Sequence, residues 1–125
     1  MWKAPQRPGN EISQTYNDGV VVICEVKDVA EPGYAPKEEL VPLYRMPYAE
    51  RQMGVQRYYA AQQNQIQIER VVRIMRGIDV DSQNVAVTED GHQYRIDLVQ
   101  AVMDVYPPSL DLTLAKIDHE YEVKL

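Results

Sequence analysis

NVAVTEDGHQYRIDLVQAVMDV, residues 84–105, decides what kind of protein this is. Val85 and Val87 stand two apart, the period of a strand with one buried face. Asp90-Gly91 supplies two residues able to take the positive φ of a type I′ turn, and Tyr94, Ile96 and Leu98 alternate on the return. That is a β-hairpin. After Leu98 the apolar positions change parity to Val99, Ala101 and Met103. One inserted residue, a bulge, turns the faces over in this way and bends a strand round a barrel corner.

Working outward, the same period recurs on both sides. Downstream, Pro107-Pro108 makes a turn, and Leu110, Leu112 and Leu114 alternate with Asp111, Thr113 and Ala115. Asp118-His119 breaks that strand, and Tyr121, Val123 and Leu125 form a last short alternating piece. Upstream, VVVICEVK (residues 20–27) is a β-branched apolar run bounded by turn residues, hence a buried strand. Lys37 to Met46 alternates loosely, and Pro42, which lacks a ladder donor, places that strand at an edge or a bulge. Ile66, Ile68, Val72 and Ile74 share one face of a strand ended by Gly77, with Arg70 the exception on that face. Six or seven short strands without a βαβ rhythm make an all-β domain, a small barrel or sandwich.

Two segments stand apart from this pattern. Residues 1–19, punctuated by Pro5, Pro8, Gly9, Asn10, Asn17, Asp18 and Gly19, read as an extended N-terminal arm, either a frayed terminus or an arm that orders on a neighbouring subunit with Trp2 and Tyr16 as anchors. Residues 20–125 form a single domain into which a loop, Pro47 to Gln65, is inserted between the second and third strands. Within that loop Val55, Tyr58, Tyr59 and Gln62 fall at i, i+3, i+4 and i+7, the spacing of a short helix. Insertions of this length in compact domains are usually functional. Between Arg45 and Arg76 six arginines stand against Glu50 and Glu69, a surplus of +4 in a chain of net charge −6, which leaves −10 on the remainder.

Composition narrows the function. The charged and hydrophobic fractions, 26% and 45%, are those of a globular chain. No apolar run approaches the ~20 residues that cross a bilayer, and the first residues lack the apolar core of a signal peptide. Cys24 is the one cysteine and reads as a small core residue. The segment Asp79 to Asp90 imitates a calcium loop, but Asn84 occupies the place of its glycine and Asp90 that of its glutamate, so it reads as a turn. His92 and His119 read as solvated. No phosphate loop, paired-cysteine site, HExxH or GxSxG occurs, so no enzyme, metal or cofactor is expected. Two binding readings remain. One is a small barrel that binds single-stranded nucleic acid by stacking bases on Tyr58 and Tyr59. The other is an assembly part, with acidic and basic surfaces meeting different partners.

The order of features then resembles a known family. Glu50 to Ala61, Ile66 to Met75, Asp90-Gly91, Tyr94-Arg95-Ile96 and Leu110 to Leu114 are similar in spacing and type to the head–tail joining (head-closure, or stopper) proteins of long-tailed phages and phage-like prophage elements. Family members carry a tryptophan near the end of the second strand, where this chain has none. The resemblance implies a small β-barrel that assembles as a homo-oligomeric ring in the virion, at the head–tail interface, after synthesis in the cytoplasm of the bacterial host. Its implied partners are portal-side adaptor proteins, a tail-side completion or terminator protein, and the packaged double-stranded DNA in the channel, with no membrane. The inserted loop would face that channel, with Arg51, Arg57, Tyr58, Tyr59, Gln62 and Gln63 as its contact residues.

Overall fold

A computed structural model of the chain describes residues 12–51 and 68–123. Nine strands occur among them: β1 (Ile12–Ser13), β2 (Gly19–Asp28), β3 (Glu38–Arg51), β4 (Ile68–Met75), β5 (Val85–Thr88), β6 (Gln93–Val102), β7 (Val105–Tyr106), β8 (Ser109–Lys116) and β9 (Glu122–Val123). Six of them pair antiparallel in the order β2-β5-β6-β8-β4-β3, and β3 returns to β2, so the sheet closes on itself as a barrel. The expected all-β barrel is the architecture observed. The expected hairpin is β5–β6, with Ala86 opposite Tyr94. Its turn is displaced by one residue. Gly91 N–H donates to the Thr88 carbonyl at 2.9 Å, so Glu89 and Asp90 are the central pair and Gly91, at φ 85°, follows them.

The barrel interior holds Val21, Ile23, Tyr48, Val72, Ile74, Ala86, Tyr94, Ile96, Leu110, Leu112 and Leu114. A second cluster lies on the outside of the same sheet. Val22, Cys24, Leu40, Val85 and Val87 are covered there by Ile117 and Tyr121 of the C-terminal segment. This explains why residues 21–24 and 85–88 are buried without a break. Both faces of β2 and β5 are covered, so their valines need not alternate with polar residues. The covering segment is tied down at β9, parallel to β3, and by the Gln93 side chain. Gln93 Nε2 donates to the Tyr121 carbonyl and Gln93 Oε1 accepts from Tyr121 N–H, each at 2.8 Å, as a neighbouring strand would. Burial pushes the Cys24 thiol up to about 11, away from reactivity.

Three bulges turn the ladder, and the one in β4, where the pairing with β8 skips Glu69, takes Ile68 off the face that Val72 and Ile74 share, contrary to the alternation read from the sequence. Between Ile96 and Leu98 the pairing with β8 skips Asp97, which puts Ile96 inside, Leu98 outside and Val99 back against the core. The parity change therefore falls one residue earlier than the apolar pattern suggests. Beyond Val99 the interior ends, so Ala101 and Met103 are exposed rather than buried. In the β2–β3 ladder, Ile23 faces Tyr44 and Cys24 faces Pro42, leaving Leu43 as the extra residue beside the proline.

The inserted loop begins later than Pro47. Strand β3 runs to Arg51, with Tyr48 and Ala49 buried, because Pro47 lies where β3 has a ladder only on its β2 side. A missing donor on an open edge costs no pairing. The helical spacing of Val55 to Gln62 lies outside the described residues. The arm also differs from expectation at both ends. Gly19 already belongs to β2, and residues 12–18 dock on their own barrel: β1 pairs with β7, and Tyr16 bonds Ser109 Oγ at 2.7 Å. Trp2 lies outside the described residues.

Candidate functional site at the barrel mouth

One end of the barrel gathers the start of β2, the end of β3, the start of β4, the β5–β6 turn and the end of β8. Residues 52–67 leave and rejoin the barrel here, between Arg51 and Ile68.

Arg70 is the centre of this mouth. It shares its parity with Val72 and Ile74, so the strand period aims it into the barrel. A guanidinium in such a place has to be paired and bonded. Its carbon lies over the Tyr48 ring at 5.4 Å and the Tyr94 ring at 5.7 Å, the geometry of a cation on aromatic faces. Nε and Nη2 donate to the two oxygens of Glu50 at 3.0 and 2.6 Å, the fork-to-fork arrangement, and Nη2 also donates to the Tyr48 hydroxyl at 2.9 Å. Tyr48 in turn donates to Glu89 Oε1 at 2.9 Å.

The charges respond accordingly. The bonds it donates to Glu50 hold the Arg70 guanidinium protonated above its ordinary range, against the pull of burial. Burial pushes the Tyr48 phenol up. Glu89 is held below the usual carboxylate range, first by its own backbone N–H and then by the Tyr48 hydroxyl. Asp90 is held down by the Thr88 hydroxyl and the His92 N–H. A shallow groove of about 230 Å³ beside the mouth is lined by Glu69, His92, Tyr94, Lys116 and Glu120 among others, with charges of both signs.

A second arginine is equally committed. Arg73, on the outer face of β4, donates from Nε and Nη2 to the two Asp111 oxygens at 2.7 and 3.0 Å, and from Nη1 to Gln14 Oε1 at 3.0 Å. The basic surplus read from residues 45–76 is therefore not all surface charge. Arg70 and Arg73 are internal pairs, while Arg45, Arg51 and Arg76 are exposed.

Of the expected contact residues, Arg51 is exposed at the last position of β3, opposite Val71. Arg57, Tyr58, Tyr59, Gln62 and Gln63 lie outside the described residues. The mouth adds Tyr48, Glu50, Arg70 and Glu89, which sequence reasoning did not assemble. The one signal was Arg70, a charge on an apolar face. Its acceptors come from 20 residues upstream at Glu50 and, through Tyr48, from Glu89 on another hairpin, so no local pattern links them. What this arrangement does chemically is hold. It ties β3, β4 and the β5–β6 turn together at the root of the insertion. Compared with protein-family models and with curated proteins, the chain gives no match.

Proposed function

We propose that this chain is a non-enzymatic virion component that joins a phage head to its tail, closing the head as one subunit of a ring. The observation that carries the reading is the mount: a closed barrel in which the end of β3 lies beside β4 near its start, the two tied by Arg70 to Glu50, at the points where residues 52–67 depart and return. An insertion on a rigid base can be presented repeatedly around a ring. Arg51 is the described residue best placed to meet packaged DNA, with Arg57, Tyr58, Tyr59, Gln62 and Gln63 following it in the insertion. The proposed protein partners are the adaptor on the portal side and the completion or terminator protein on the tail side.

The test is to mix the purified protein with its adaptor–portal ring and measure co-sedimentation. Association supports the reading, and a protein that stays monomeric with the ring present overturns it. The rival reading, a single-strand binder, loses Arg70 and Arg73 as phosphate contacts, since both are held by carboxylates. It would require salt-sensitive binding of an oligonucleotide by the isolated protein.

A further inference from the structure

Residues 117–123 leave the end of β8, cross the outside of the barrel over Val22, Cys24, Leu40, Val85 and Val87, and finish as β9 beside β3. They are lightly packed. Ile117 and Tyr121 are the apolar anchors, both only half-buried, and Asp118, His119 and Glu120 between them are exposed and belong to no strand. A groove runs along each flank. One, of about 320 Å³, is lined by Ile117 and Tyr121 together with Ser82, Gln83 and Asn84 of the preceding turn. The other, of about 230 Å³, is lined by Ile117 and Glu120 together with His92 and Tyr94. Anchors that border open space forgo part of the packing that a core side chain has.

The seat beneath reads this segment in three ways. The Gln93 amide bonds both the N–H and the carbonyl of Tyr121, so it asks for extended backbone rather than for a particular side chain. The apolar face takes Ile117 and Tyr121. The segment is acidic, and its seat offers cations: Lys37 meets Glu122 at 3.5 Å, and Lys116 stands with Glu120 on the rim of the smaller groove, beside Glu69. None of these three features requires the segment to belong to the same copy. Residues 117–123 of a second copy satisfy all of them, because the element exchanged is identical.

We infer that residues 117–123 are an exchangeable cover: they lift from their own barrel by straightening at 118–120, and the apolar seat around Cys24 that they leave is a docking surface for the same segment of a second copy. Exchange of this kind needs no other partner and is independent of the proposed function.

Cys24 is the chain's one cysteine and is fully buried under the cover, so its labelling by an aromatic disulfide reagent reads whether the seat is filled. In the full chain carrying Tyr121→Ala, labelling runs about tenfold faster than in the wild type, as expected for a lost apolar anchor, while the circular dichroism of the barrel is unchanged. A donor copy carrying Cys24→Ser and Gln93→Ala has no thiol and a loosened segment of its own. Added to the Tyr121→Ala protein, it slows the labelling of Cys24 progressively with concentration, and a donor that also carries Tyr121→Ala does not. Labelling of the Tyr121→Ala protein that is no faster than wild type overturns the inference, and so does labelling that a large molar excess of the donor leaves unchanged. Ile117→Ala, a milder change in the same segment, takes the place of Tyr121→Ala should that variant fail to fold.

Discussion

At the scale of single residues, the chain places charge where a core would ordinarily exclude it, and answers each charge with a partner. Arg73 and Asp111 are nearly inaccessible, with side-chain exposures of 8% and 13%. Losing one member leaves the other uncompensated, so Asp111→Ala should cost about 3 kcal/mol in urea unfolding, while the double change Arg73→Met with Asp111→Leu should cost much less. Gly19 is required for a steric reason. A Cβ there would lie 2.6 Å from the Tyr48 hydroxyl and against the Glu89 carboxylate. Gly19→Ala should push Glu89 away from Tyr48 and lower stability by about 1 kcal/mol, seen as a lower unfolding midpoint.

At the scale of elements, the segments near both ends of the chain dock on the barrel. The C-terminal segment covers the outside of β2 and β5, and a glutamine amide stands in for the strand it would otherwise need. Gln93→Ala should release that segment, with faster amide exchange at residues 117–123 and a loss of about 1 kcal/mol per hydrogen bond removed. At the other end, residues 12–18 pair with β7 and reach the Arg73–Asp111 pair through Gln14. Here the amino-acid pattern is legible only in part. Alternation identifies β4, β6 and β8, and Asp-Gly identifies the hairpin. The same pattern says nothing about which outer faces are covered, because a strand buried on both sides and a buried helix segment have the same composition.

For the whole molecule, carboxylates held below their ordinary range, Asp28, Glu89 and Asp90, shape the response to acid. Glu89 and Asp90, at the mouth, have native pKa values below their unfolded ones. A depressed carboxylate stabilises the fold above its unfolded value of about 4 and loses that stabilisation as pH falls through its native value. The urea midpoint should therefore drop on acidification below about pH 4, and Glu89→Gln should flatten the drop.

The periodicity of two and the turn residues were enough by themselves to determine an all-β domain, since these depend only on neighbours in the chain. The pairing of Arg70 with Glu50, Tyr48 and Tyr94, and of Arg73 with Asp111 and Gln14, was decided by the tertiary structure alone. Each joins strands whose meeting depends on closing the ring. For the same reason a run of arginines that read as a basic surface proved to be, at two positions, the internal bracing of the barrel.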